Sequence, residues 1–162
     1  MTLTNTTTTE QLIKYVILAF VAQLTLTSIH HVYGGIVYDS AARMSMPILA
    51  AIELLIVLGL LFWYKRTNSG FALTVFSVIM VLVGVVQGLF HTLYGHAYKD
   101  LLFLIGVPAD KVRNFFLPVM PNDFIYPPND VFFEATGLLE LVTIYLIIVF
   151  TYRLIRNRQK HQ

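Results

Sequence analysis

The chain has no cysteine among its 162 residues. That absence removes disulfide frameworks, thiolate metal sites and thiol redox chemistry together. Charge is scarce as well, at 12% of residues, where a soluble domain carries roughly 25%. So few charged side chains cannot cover a water-facing surface. The N-terminal stretch 1–11 is rich in threonine and lacks both a basic segment and a small-residue cleavage site. The first apolar run therefore reads as a retained spanning helix, not a signal peptide.

What the chain does have is apolar length. Hydrophobic residues make up 57% of the sequence, and the mean hydropathy is +0.71. Four runs, 12–38, 45–64, 71–98 and 131–153, each reach or approach the ~20 residues needed to cross a bilayer core. Segments this apolar must satisfy every backbone polar group internally, which makes them α-helical. The expected architecture is an all-α integral membrane protein of one domain, 1–162, built as a four-transmembrane-helix bundle. The 99–130 connection is its only long loop. Pro108 with Asp110 behind it signals a short helix there, and the stretch fits an interfacial segment or a lid over the outer face.

The basic pI of about 8.9 does not point to nucleic acid. Lys14, Lys65, Arg66, Arg153, Arg156, Arg158 and Lys160 collect at one end of the four runs, whereas Arg43, Lys99, Lys111 and Arg113 at the other end are diluted by aspartates. The positive-inside rule then puts both termini in the cytoplasm, with these charges setting topology.

Two echoes suggest an internal duplication. His30-His31-Val32-Tyr33-Gly34 near the end of the first run matches His91-Thr92-Leu93-Tyr94-Gly95 near the end of the third, each followed by an aspartate, Asp39 or Asp100. Glu53 in the second run matches Glu140 in the fourth, and thirteen residues later each leads to an arginine, Arg66 or Arg153. Two helical hairpins of the same orientation would be related by an axis along the membrane normal, with a natural site at their interface. The spacing Gly84-x-x-x-Gly88 reads as close packing inside the bundle.

Helix rise of about 1.5 Å per residue places His30 and His91 roughly 13 Å below the outer helix ends, and Glu53 and Glu140 at nearly the same depth. His31, His96 and Glu134 lie on or just above that layer. An ionisable group inside a span is costly to insert and marks function by default. A lone histidine or glutamate would more often be a packed hydrogen-bonded pair, but four helices each contributing one to a single layer favour a site.

The candidate metal ligands are His30, His91, Glu53, Glu140, His31, His96 and Glu134, and imidazole with carboxylate suits zinc, iron, manganese or copper. Of the adjacent pair His30 and His31, repeat equivalence selects His30 to face the bundle axis. In an α-helix His91 and His96 diverge by roughly 140°, so joint ligation needs a local distortion, which Gly95 could permit. Glu53 and Glu140 are the candidate acid/base residues, with Tyr33 and Tyr94 close by, although interfacial tyrosines serve more often as belt residues.

The expected function is a metal-dependent membrane enzyme, an oxidoreductase or hydrolase acting on a lipophilic or small substrate at an outward-facing site. The competing readings are a metal-free acid/base isomerase, a b-type haem held between the paired histidines, and a proton-coupled transporter or subunit of a membrane complex. The expected partners are the bilayer and the substrate, with a homo-oligomer or larger membrane complex also open.

Overall fold

The structure is a computed structural model, and it describes residues 8–116, 127–128 and 130–159. Helices account for all the regular structure among them. They are α1 (Thr9–Val37), α2 (Ala41–Met44), α3 (Met46–Thr67), α4 (Gly70–Val85), a π-helical segment (Val86–Tyr98), α5 (Lys99–Leu104), α6 (Ala109–Val112) and α7 (Val131–Gln159). A 3₁₀ turn, Arg113–Phe115, follows α6. Because α4, the π segment and α5 run on without a break, four rods are long and apolar enough to cross a membrane: Thr9–Val37, Ala41–Thr67, Gly70–Leu104 and Val131–Gln159. Each begins or ends several residues beyond the run expected from hydropathy, because helical hydrogen bonding does not stop where apolar residues do.

Local chemistry sets the ends. Thr8 caps α1 by accepting from the Gln11 N–H at 3.2 Å, while the Gln11 side chain accepts from the Thr8 N–H at 2.8 Å, a reciprocal box that satisfies two orphan donors. Asp39, at φ 49°, ends the α1 region in a left-handed turn. Pro47 lies in the first turn of α3, where its missing N–H costs nothing. Asn68 closes α3 at φ 50°, and Ser69 caps α4. In the 99–130 connection, α5 and α6 bury Leu102 and Val112 against Phe116. Residues 117–126 and 129 of the connection expected to form a lid fall outside the described residues.

α1 is the central rod. It packs most extensively on α7 and also lies against α3, while α4 contacts α3 and α7. Its best apolar window is 44% buried, against 17% for the rod containing α3. Val16, Phe20, Val57, Phe76, Met80 and Ile147 fill the half of the bundle on the side of the chain termini at full burial. Large apolar residues such as Leu55, Phe62 and Tyr145 point outward, as a lipid-facing surface requires. Lipid tails are as apolar as leucine, so close fit holds the rods together. A Cβ on Gly84 or Gly88 would come within 2.9 or 3.0 Å of Ile148 or Ile144 on α7, so this small-residue pair is a packing seam inside the bundle.

Candidate metal centre

The π segment brings the site together. Its i→i+5 hydrogen bonds make each turn wider than an α-helical turn, so residues five apart return to nearly the same face. His91 and His96 therefore sit together, with ring centroids 5.2 Å apart. α1 supplies His30, whose ring lies 5.4 Å from His91 and 4.7 Å from His96. One ligand nitrogen from each of His30, His91 and His96 falls within 4.8 Å of the other two. His30 is fully buried and His96 nearly so, while the His91 side chain is 19% exposed.

All three histidines turn the same nitrogen to the same helix. His30 Nδ1 is 3.0 Å from Thr136 Oγ1, His91 Nδ1 is 3.2 Å from Glu140 Oε2, and His96 Nδ1 is 2.7 Å from Glu134 Oε2, so α7 provides every partner. The Thr136 hydroxyl is placed to donate to the Phe132 and Phe133 carbonyls at 2.8 and 3.0 Å. With its single proton on either carbonyl it accepts from His30 Nδ1, the arrangement that leaves the lone pair of that ring on Nε2. His30 Nε2 is buried and has no hydrogen-bond partner. In the same way the Glu134 carboxylate accepts from His96 Nδ1, which leaves the lone pair of that ring on Nε2. The His91 contact is close but lacks hydrogen-bond alignment. Metal-binding histidines almost always give their second nitrogen to a carboxylate, hydroxyl or carbonyl, which fixes ring orientation and tautomer.

A charged pair stands behind His96. Lys99, only 1% exposed, donates to Glu134 Oε1 at 2.5 Å and lies 3.2 Å from Asp100 Oδ1. On the opposite side Phe133 stacks on His30, with centroids 4.1 Å apart, and carries the Arg43 guanidinium at 4.9 Å. Gly34 gives Phe133 its place, since a Cβ there would overlap that ring. Lys99 and Arg43 are thus buried structural cations, whereas charge counting treats them as solvated topology markers. Below the histidines Gln23 donates to Glu140 Oε2 at 2.8 Å and to Thr27 Oγ1 at 2.9 Å. Thr143 donates to Gln23 Oε1. Glu140 is fully buried, and its Oε1 has no partner.

The other sequence candidates lie around this centre. His31 is buried, with its ring 4.9 Å from His91, and its Nδ1 has no hydrogen-bond partner. Glu134 and Glu140 contact the histidines from behind, as described. Glu53 shares a face of α3 with buried Val57, and its buried Oε2 has no hydrogen-bond partner. It is not part of the metal-capable group among the described residues. Tyr33 donates to Asp130 Oδ2 at 2.9 Å, where Asp130 also caps α7 through the Phe133 N–H. Tyr94 donates to the Phe115 carbonyl at 3.1 Å. These two hydroxyls tie the helix turns beside the 99–130 connection to Asp130 and Phe115. Sequence reasoning missed Thr136 and Lys99. The spacing of Glu134, Thr136 and Glu140 along one span was the available signal for Thr136.

Gly137 is the tightest point around His96. A Cβ at that position would meet at 2.7 Å the His96 ring that Glu134 holds through Nδ1. Gly137→Ala is expected to lower metal occupancy at least about tenfold, as loss of ligand orientation does, and to cost roughly 1–3 kcal/mol through overpacking. Metal titration and thermal unfolding of the same detergent preparation check both effects.

Comparison with known proteins gives no match: no family model, no curated protein and no solved structure is significantly similar to the chain.

Proposed function

We propose that this chain is a membrane-embedded metalloenzyme in which His30, His91 and His96 hold one divalent transition-metal ion through their Nε2 atoms. The observation that carries the reading is the common orientation of the three rings, each with Nδ1 against an oxygen of α7. Three neutral imidazoles with an open fourth position are the ligand set of a catalytic zinc site, and iron, manganese or copper would also accept this set. A bound ion would supply an acidified water or a polarised carbonyl. Glu140 fits the acid/base role, because its unpartnered Oε1 is buried beside His91. The reaction class this supports is metal-assisted hydrolysis or redox turnover of a lipophilic or small substrate arriving within the bilayer. In topology, both termini would be cytoplasmic and the site would face the outer side, as the basic end formed by Lys14, Lys65 and Arg153 suggests.

Two observations weigh against haem. Three of the glycines beside the histidine turns leave no room for a macrocycle, since the space at Gly34 is filled by Phe133, at Gly35 by Met44 and at Gly88 by Ile144. Glu134 and Glu140 also lie against the rings. A second reading, proton-coupled transport, is favoured by the Gln23, Thr27 and Thr143 group, which extends the polar layer inward from Glu140.

Elemental analysis and an absorption spectrum of detergent-purified protein, prepared without chelators, test the proposal. One equivalent of zinc, iron, manganese or copper is expected, unchanged in Glu53→Gln. A Soret band would move the reading to haem. Metal-free protein that also fails to take up added ions would refute the metal centre and leave transport as the working reading.

A further inference from the structure

A second site stands at the opposite end of the bundle from the histidines. The inner ends of α1 and α3 diverge around a groove of about 670 Å³. Ile17, Leu58 and Phe62 line its shaft, and Lys14, Tyr64 and Lys65 stand at its mouth with Glu10. Both lysines are exposed, and neither is in an ion pair among the described residues. The groove opens on the face where Glu10 is the only acid among the described residues, against Lys14, Lys65, Arg66, Arg153, Arg156 and Arg158. A polar mouth carrying two unpaired cations above an apolar shaft matches one kind of molecule present at a membrane surface. That molecule has a phosphate headgroup and an acyl chain.

We propose that this groove is a binding site for an anionic phospholipid, with the headgroup phosphate between Lys14 and Lys65 and the first part of an acyl chain along Ile17, Leu58 and Phe62. Basic pockets between helices at a membrane surface recognise such headgroups, and each nearby lysine adds attraction that a zwitterionic lipid does not receive. A lysine keeps its stem on apolar surface while its ammonium reaches the headgroup level, so both can act from the groove mouth. The site does not depend on the histidine centre, and metal content has no bearing on it.

Trp63 is the single tryptophan of the chain. It is 43% exposed and stands in sequence between the lining residues Phe62 and Tyr64, so its fluorescence reports which lipid occupies the neighbourhood. The full chain is reconstituted in vesicles of one fixed phosphatidylglycerol and phosphatidylcholine composition, with brominated acyl chains on one lipid or on the other. Bromine carried by phosphatidylglycerol is expected to quench Trp63 as if that lipid were enriched roughly fivefold over its bulk fraction. Lys14→Gln/Lys65→Gln, at two exposed positions, is expected to abolish the enrichment, and Arg153→Gln/Arg156→Gln on the same face is expected to keep it. Three results would overturn the site: equal quenching by both lipids in the wild type, enrichment that survives loss of the lysines, or enrichment lost as fully with the two arginines.

Discussion

Lys99→Met is expected to destabilise the protein by about 3–5 kcal/mol, the usual cost of removing one partner from a buried pair. Lys99 and Glu134 have side-chain exposures of 1% and 9%, so water cannot replace the lost ammonium beside the carboxylate. Asp100, also in contact with Lys99, is 23% exposed and can be solvated when the lysine is gone. The damage therefore concentrates on Glu134 and, through it, on His96. Replacing both partners, Lys99→Met/Glu134→Gln, removes the stranded charge and is expected to recover most of the stability. Metal affinity in that double variant should remain depressed by about 10- to 100-fold, because the amide is a poorer anchor for His96 Nδ1 than the carboxylate. Thermal unfolding in detergent, paired with metal titration, separates the two effects. A single variant within about 1 kcal/mol of wild type would mean that the pair is hydrated, as exposed ion pairs are.

The largest functional effect is expected from the ligands themselves. His30→Ala, His91→Ala and His96→Ala should each weaken binding by more than about a hundredfold, since even supporting residues behind a ligand are worth 10- to 100-fold. His31→Ala should change it less than about tenfold, because His31 lies outside the group whose nitrogens converge. Competition against a chromophoric chelator measures all four. An equal loss in His31→Ala would show that the fourth histidine joins the ion. An intact affinity in His96→Ala would show that the π segment does not supply two ligands. His30 is the most informative of the set, because its Nδ1 is satisfied by Thr136 and only its Nε2 is idle.

Much of this was legible in the sequence, for physical reasons that also explain the omissions. Four apolar runs dictate four helices long and apolar enough to cross a membrane, because a bilayer allows an isolated segment no other backbone solution. Counting from the helix ends gave the depth of His30, His91 and Glu140, which share a layer in the structure. Direction around the helix axis was harder, because it depends on packing. Glu53 is on α3, which packs on α1 and α4, whereas Glu134, Thr136 and Glu140 all stand on α7. The apolar run stops at 98, which by sequence alone puts Lys99 outside the membrane. The rod continues to Leu104, so its ammonium ends up inside the bundle. The pairing of His91 with His96 could not be read at 100° per residue, since the winding changes between Val86 and Tyr98.

That change of winding also determines what a related centre would look like in another chain. In an ordinary α-helix two histidines share a face when three residues separate them. Here four residues separate His91 from His96, and the i→i+5 bonding absorbs the extra one. Leu93, between them and 42% exposed, is a residue whose deletion would restore the shorter interval together with the tighter coil. A chain with His-x-x-x-His in plain α conformation could thus present the same two nitrogens as this one does with His-x-x-x-x-His. An alignment that forbids gaps within a helix would score two such chains as unrelated at the very residues they have in common.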